Sequence, residues 1–244
     1  MRIRTNRGIA LAVIFCSLAM GVASAEVPSS AAILAKADSY RLFAASGFSY
    51  DFWTEDSKGE VSLMRVAVRL DGEETALVRY LEPVGQRGRA VLVRGNTFWL
   101  FEPGMKSALR ISPRQILFGQ ASAGDVSRIN YRTMYAVEKV GEEGGNTILT
   151  LAALSGAGAT YDAVDLVTDA DGRPLEARCR GKSGTLMKTI RYEKYEAIGG
   201  KPLLTEFSLF DEIHKEKQRV KLSRYSADLP PVSAFSVQAL RRAQ

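Results

Sequence analysis

Few side chains of this sequence have the types and spacing that catalysis requires. His214 is the only histidine. It lies in the charged segment 211–217, which is typical of a hairpin turn, so we expect a solvated histidine there. Cys16 and Cys179 do not show the paired Cys/His spacing of a metal site, and no phosphate-binding loop, dinucleotide fingerprint or nucleophile elbow is present. The sequence therefore predicts no catalytic residue, no metal site and no cofactor, and it favours a protein that is not an enzyme.

The first 25 residues predict an exported protein. Arg2, Arg4 and Arg7 precede an apolar stretch over 9–20, and Ala25 ends a small-residue cleavage motif. This is the layout of a secretory signal peptide. We expect cleavage after Ala25, a periplasmic location and a single domain over residues 26–244. A retained membrane anchor is the alternative, but a spanning helix needs about 20 apolar residues.

The distribution of charge argues against a nucleic-acid partner. The formal net charge is +6, and three arginines of the predicted signal peptide contribute to it. Beyond residue 25, basic and acidic side chains are interleaved without a basic block, which is typical of a solvated surface. Cys179 is the one cysteine left after cleavage, so no internal disulfide can form and we expect a buried thiol.

Apolar and polar residues alternate in short runs after residue 47, which predicts antiparallel strands. In the run 61–70, Met64 and Val66 lie on one face and Arg65 on the other, and Asp71-Gly72 favours a tight hairpin turn. Further runs of this kind continue to residue 225, about eleven strands in all. The sequence therefore predicts a meander-rich antiparallel sheet.

Three segments interrupt the strand pattern. The spacing predicts a helix over Ala31–Ala45 and a closing helix over Val232–Leu240. The segment Pro113–Tyr131 predicts a loop over one face of the sheet, with a short helix that begins near Ser122. The fold class is therefore α+β and mainly antiparallel β, an incomplete, half-open β-barrel covered by short helices.

A pattern of residues between Pro83 and Asp125 resembles the outer membrane lipoprotein-sorting protein family of the LolA/LolB-like superfamily. The residues that carry the resemblance are Pro83, Arg87-Gly88, Leu92, Gly95-Asn96, Trp99, Phe101, Pro103, Lys106, Arg110-Ile111 and Asp125. The resemblance implies an incomplete barrel whose concave apolar face holds acyl chains. It also implies traffic of a lipid or lipoprotein between the inner and outer membranes, with an inner-membrane transporter of the RND or ABC type as partner.

Several apolar residues are expected to share the side of the sheet that would bind a ligand. They are Met64, Val66, Val68, Val78, Tyr80, Leu92, Trp99 and Phe101. The alternative is that they fill a packed core, as interior residues of small barrels do. Burial of acyl methylenes is favourable by about 0.8 kcal/mol each, so such a chain can bind without polar recognition.

The leading functional hypothesis is a periplasmic carrier of lipid or lipoprotein acyl chains. The alternative is a sensor or adaptor subunit of an RND or ABC transporter system that moves no cargo. An enzyme that acts on envelope lipids is a third class, and its one candidate residue is His214.

Overall fold

The computed structural model describes residues 29–127 and 130–242. The predicted signal peptide and its cleavage site lie outside these residues. The helices are α1 (Ser30–Ser39), α2 (Ala123–Ser127) and α3 (Val237–Arg242), and 3₁₀ turns occur at Val84–Gln86 and Val232–Ala234. In the described part of the chain, no helix is both long enough and apolar enough to cross a membrane.

The strands occupy about half of the chain. They are β1 (Gly47–Glu55), β2 (Val61–Arg69), β3 (Thr75–Glu82), β4 (Ala90–Arg94), β5 (Thr97–Phe101), β6 (Leu109–Ile111), β7 (Ile116–Phe118), β8 (Ala121–Ser122), β9 (Tyr135–Glu143), β10 (Asn146–Ala153), β11 (Ala163–Thr168), β12 (Pro174–Arg180), β13 (Leu186–Ile198), β14 (Lys201–Asp211) and β15 (Glu216–Ser226).

Thirteen of these strands form one antiparallel sheet in the order β6-β5-β4-β3-β2-β1-β15-β14-β13-β12-β11-β10-β9. The chain starts in the middle of the sheet, meanders outward to β6, crosses to the opposite edge at β9 and meanders back until β15 pairs with β1. The sheet is not closed, because β6 and β9 are its two edges. The expected count of about eleven strands is too low, since a three-residue strand such as β6 shows no readable alternation.

The alternation of apolar residues matches the register of the sheet in its first meander. Met64, Val66 and Val68 of β2 are fully buried, whereas Arg65 and Arg69 of the same strand are partly exposed. The apolar side chains therefore point to one face and the arginines to the other, as the period of two requires. The mainly antiparallel fold follows from this pattern.

Residues 112–134 connect the two edges of the sheet and are named the crossover segment. It contains the β7–β8 hairpin and α2, and α2 packs against β2 and β3. The predicted helix start is confirmed: the Asp125 N–H donates to Ser122 Oγ at 3.2 Å, and the Ser122 N–H donates to Asp125 Oδ2 at 3.0 Å. This reciprocal pair caps α2. Leu117 and Val126 are buried in the core.

The predicted N-terminal helix is too long at its C-terminal end. Helix α1 ends at Ser39, because the Tyr40 carbonyl accepts a hydrogen bond from Leu204 N–H at 2.8 Å instead of continuing the helix. The predicted closing helix is also interrupted. Phe235, at φ −87° and ψ 47°, separates the second 3₁₀ turn from α3.

Two apolar clusters lie on opposite faces of the sheet. The inner core fills the concave side and includes Val66, Val78 and Val91. The outer cluster consists of Ala67, Leu77, Ala90, Leu92, Phe101, Phe235 and Leu240. It is covered by the C-terminal segment, since α3 contacts β4 and β5.

Candidate functional site

An interior cavity lies between the concave face of the sheet and the crossover segment. Its wall is formed by β1 and by β11–β15, and the crossover segment closes it with residues such as Asn130 and Met134. The cavity volume is about 60 Å³. That volume holds about four water molecules, since one water needs roughly 15 Å³. Little empty space therefore remains between the side chains of the cavity wall.

Aromatic rings make up almost half of the cavity wall. They are Phe48, Tyr50, Phe52, Tyr131, Tyr135, Tyr161, Tyr192, Phe207 and Tyr225. The rings contact one another: Tyr50 and Tyr225 stack with centroids 5.7 Å apart, and Phe52 meets Phe207 edge-on at 6.0 Å. Arg41 lies 5.7 Å from the centroid of the Tyr131 ring. Aromatic faces of this kind accept both apolar chains and cations.

The tyrosine hydroxyls of the wall bond mainly to protein atoms. Tyr50 donates to Val126 O at 3.0 Å, Tyr225 donates to Leu204 O at 2.7 Å, and the hydroxyls of Tyr131 and Tyr192 are 2.6 Å apart. Burial raises the pKa of Tyr192 to about 12 and raises the pKa of Tyr131 well above its ordinary value. These hydroxyls are therefore neutral at physiological pH and contribute shape and apolar surface.

A buried ion pair beside the cavity anchors the crossover segment. Lys188 Nζ lies 2.5 Å from Asp125 Oδ2 and donates to Gln120 O at 2.6 Å. The Tyr161 hydroxyl donates to Asp125 Oδ1 at 3.1 Å. Both charges are therefore paired and hydrogen-bonded, the arrangement that buried charges require.

The site contains no reactive cysteine or histidine in its described residues. Cys179 lines the cavity, is 1% exposed, and burial raises the pKa of its thiol, so the thiolate is disfavoured. The prediction of a buried thiol is confirmed. His214 lies in the exposed turn between β14 and β15, next to Asp211, as expected for a solvated histidine. Within residues 29–127 and 130–242, no cluster of three or more His, Cys, Asp or Glu side chains could hold a metal ion.

The eight residues expected on one face lie on two faces. Met64, Val66, Val68, Val78 and Tyr80 belong to the inner core. Leu92 and Phe101 belong to the outer cluster, and Trp99 packs against that cluster. The expectation of a single face is therefore wrong.

The cause is the register of β4. Val78 pairs with Val91 and Leu77 pairs with Leu92, and a shift of one residue moves a side chain to the other face. Residues 90–93 are all buried, whichever face of the sheet they point to. The apolar pattern therefore could not reveal which face Leu92 occupies.

The aromatic residues of the cavity wall were not predicted as a site. A readable signal exists in β1, where Phe48, Tyr50 and Phe52 alternate. The tyrosines of the second meander, such as Tyr192 and Tyr225, are scattered over distant strands. Their convergence depends on the pairing of β1 with β15, which joins the two halves of the chain.

An open antiparallel sheet around an aromatic interior defines this protein as one with a LolA-like fold, and solved structures confirm the resemblance seen in the sequence. A LolA superfamily protein from Nitrosomonas europaea is 29% identical, with a TM-score of 0.71, over 84% of this chain and 96% of that chain. A domain from Vibrio parahaemolyticus, described as an outer membrane lipoprotein-sorting protein, is 17% identical over 86% of this chain and 97% of that chain, with a TM-score of 0.68.

A third similar structure is that of a DUF1329 family protein from Desulfovibrio piger, 17% identical over 86% of this chain and 97% of that chain, with a TM-score of 0.71. The model of a protein family described as "-like: Uncharacterized protein" matches residues 72–242. The match covers more than half of the chain, and the chain belongs to this family. No curated protein matches the sequence.

Proposed function

We propose that this protein is a periplasmic carrier that binds the acyl chain of a lipid or lipoprotein inside the half-open sheet. The observation that carries the proposal is the aromatic interior cavity between β1, β13–β15 and the crossover segment. The likeness to a LolA superfamily protein at 29% identity supports it. The carrier performs no chemistry, and its action is the removal of an apolar chain from water.

The wall of the cavity suits an uncharged chain. Tyr225 donates to Leu204 O within the sheet, so its hydrogen bond does not depend on the crossover segment. Tyr50 and Tyr192 bond to Val126 and Tyr131 of that segment, so a chain that displaces it must replace these two hydrogen bonds. Each buried methylene contributes about 0.8 kcal/mol. A chain of about a dozen carbons therefore binds through its length, which explains why the sequence offers so few candidate polar ligand-binding residues.

Binding of a chain requires movement of the crossover segment, because the cavity of about 60 Å³ is far smaller than an acyl chain. Helix α2 packs against β2 and β3, where Met64, Val66 and Val78 belong to the inner core. Displacement of α2 would extend the cavity over this part of the sheet. The inner-face residues of the sequence prediction then become the second half of the binding surface; they are Met64, Val66, Val68, Val78 and Tyr80.

A sensor or adaptor without cargo is the second candidate, and the small cavity favours it. In that case the aromatic side chains form a filled core, and the working surface is an outer one that meets an inner-membrane transporter. The two candidates differ in one property, since a carrier takes up and releases a lipid whereas an adaptor does not.

The test is photolabelling of the full exported chain with a fatty acid that carries a diazirine near its methyl end. Labelled peptides from β1, β13 and β15 are expected, because Tyr50, Tyr192 and Tyr225 line the cavity. Native mass spectrometry before and after organic extraction shows in parallel whether a lipid copurifies.

The outer cluster supplies the internal control. Phe235 and Leu240 of the C-terminal segment belong to this cluster on the opposite face, so peptides that hold them should carry little label. Labelling confined to the peptides of the C-terminal segment would contradict the proposed cavity. Absence of both label and copurified lipid would favour the adaptor.

A further inference from the structure

A second, more polar depression, named the mouth groove, opens at the end of the sheet where β1 begins. It lies between α1, the turn from β2 to β3, residues 130–133 and the start of β14, and its volume is about 520 Å³. It is thus several times larger than the interior cavity. Asn130 lines both spaces, so the groove and the cavity meet at this residue.

Three cations line the mouth groove. Lys36, Arg132 and Lys201 are exposed, and none of them lies within salt-bridge distance of a carboxylate in the described ranges. Lys201 Nζ donates only to the Phe43 carbonyl, at 3.3 Å. Among the described residues of the groove wall, Glu74 is the one carboxylate. The described groove wall therefore holds more cations than carboxylates, although Lys36 also borders an adjoining depression lined by Asp169 and Asp171.

Asn130 leaves a buried acceptor unsatisfied at the junction. The residue is 4% exposed, and its Nδ2 donates to Glu74 Oε2 at 3.4 Å. Its Oδ1 has no hydrogen-bond partner within the described part of the chain. Buried side-chain oxygens without a partner are rare and call for an explanation. A ligand that donates a hydrogen bond to Asn130 Oδ1 would explain this unpartnered oxygen.

We propose that the mouth groove binds the anionic headgroup of an acylated lipid whose chain enters the interior cavity. The anionic group faces Lys36, Arg132 and Lys201, and a hydroxyl or amide N–H between the charge and the chain donates to Asn130 Oδ1. The inference rests on the proposed function and narrows its cargo to an anionic lipid.

The order of these features along the path supports the assignment. Asn130 lines both spaces, and in the proposed complex the lipid passes this residue on its way from the cavity to the groove. The polar linkage of an acyl lipid follows its chain directly, and its charge follows the linkage. The protein places its groups in the same spatial order, with the buried acceptor Asn130 first and the exposed lysines beyond it.

The first experiment reverses the charge of the groove in the full exported chain. The probes are a 1-acyl lysophosphatidate and the monoacylglycerol of the same chain length, both below their micelle concentrations. Exposed ion pairs are weak singly, but reversal of three in Lys36→Glu/Arg132→Glu/Lys201→Glu should weaken lysophosphatidate binding about tenfold. Monoacylglycerol binding should stay within about twofold, since it carries no charge for the groove to attract.

The matched control makes an equal charge reversal at the opposite end of the strands. Lys58, Lys182 and Lys217 lie in or beside hairpin turns there, are exposed and do not line the groove. Lys58→Glu/Lys182→Glu/Lys217→Glu should bind both probes as the wild type does. An equal loss in this variant would mean that net charge, and no local site, attracts the lipid.

The second experiment tests Asn130 through the ligand. Methylation of the free hydroxyl of lysophosphatidate removes the donor, and the wild type should bind this ether about fivefold more weakly, the effect of one neutral hydrogen bond. Asn130→Leu should bind the two lipids equally. An equal loss in wild type and variant would place the hydroxyl away from Asn130.

The outcomes separate the headgroup site from the proposed function. Binding of both probes by the wild type with no effect of groove reversal would overturn the headgroup site and leave the acyl-chain carrier in place. Binding of neither probe would overturn both. Tighter binding of an N-palmitoylated neutral tripeptide than of lysophosphatidate would overturn the lipid assignment in favour of a lipoprotein.

Discussion

Lys188 Nζ lies 2.5 Å from Asp125 Oδ2, and both side chains are at least 95% buried. The same ammonium group donates to the Gln120 carbonyl, so one lysine of β13 holds the crossover segment at two points. Asp125 in turn caps α2 and accepts from Tyr161. A polar anchor inside an apolar interior therefore decides where the crossover segment lies.

Removal of the lysine should destabilise the protein strongly. Lys188→Met leaves the Asp125 carboxylate buried without its cation, which typically costs about 3–5 kcal/mol. The free energy of unfolding in urea measures the loss. The double variant Lys188→Met/Asp125→Asn should regain part of it, because the uncompensated charge is gone and the side-chain amide that replaces the carboxylate keeps an oxygen that can cap α2.

An exposed ion pair provides the control for this comparison. Arg94 and Glu73 are 51% and 54% exposed and 3.3 Å apart. Arg94→Met should cost less than about 1 kcal/mol, since such pairs contribute little. A loss at Lys188 no larger than that at Arg94 would contradict the role of the buried pair as an anchor.

The position of this anchor shows where sequence-based inference ends. The local pattern around Ser122 and Asp125 predicted a short helix, because a cap involves residues three apart. The partner Lys188 is 63 residues from Asp125, and in the sequence it is one lysine of a strand with alternating polarity. Its burial follows from the crossover segment lying on the concave face, which no local pattern specifies.

The face of each strand was predictable only where one face is polar. In β2 the arginines mark the outer face, and Met64 and Val66 share the inner face, as the alternation of the sequence predicted. In β4 the residues from Ala90 to Val93 are all buried, because the C-terminal segment covers the outer face as well. The sequence therefore could not predict the face of the sheet on which Leu92 lies, because that face depends on the pairing of Leu92 with Leu77.

The hydroxyl pair of Tyr131 and Tyr192 should show strong non-additivity. The two oxygens are 2.6 Å apart and buried, so Tyr192→Phe leaves the Tyr131 hydroxyl without its partner. A loss of about 1–3 kcal/mol is expected for either single Phe variant. The double variant Tyr131→Phe/Tyr192→Phe should lose less than the sum of the two, as thermal or urea unfolding will show. Additive losses would mean that the hydroxyls do not depend on each other.

Gly124 controls how closely α2 approaches the loop before β11. A Cβ atom at Gly124 would lie 1.8 Å from Thr160 Oγ1 and 2.9 Å from Thr160 Cβ, so Gly124→Ala must push the crossover segment away from Thr160. The expected destabilisation is about 1–3 kcal/mol, with faster hydrogen exchange in amides 117–127. Gly85→Ala is the control, because no atom lies within 4 Å of its added Cβ. Unchanged exchange in the Gly124 variant would show that the segment is not held there.

Asp38 should make the protein more stable in mild acid. Its carboxylate accepts from the Tyr131 and Arg132 backbone N–H groups at 2.7 and 3.0 Å and so ties α1 to the end of the crossover segment. Burial raises the pKa of Asp38 from 3.8 to about 6, although the two backbone hydrogen bonds lower it. Since the folded state then binds the proton more tightly than the unfolded chain, this group's contribution to stability rises as the pH falls from 7 to 4.

The gain in stability from Asp38 falls in a defined pH range, and the Asp38→Asn variant is its control. A pKa difference of this size corresponds to roughly 3 kcal/mol, gained as the pH falls through about 6 and complete below the unfolded value near 4. Asp38→Asn cannot titrate, so the difference in unfolding free energy between wild type and variant should change by that amount between pH 7 and pH 4. The variant also loses two carboxylate hydrogen bonds, which lowers its unfolding free energy by the same amount at every pH. This constant offset does not affect the comparison, since only the change of the difference with pH is used. A difference that stays flat over this range would contradict a raised pKa at Asp38, and with it the burial of a carboxylate between α1 and the crossover segment.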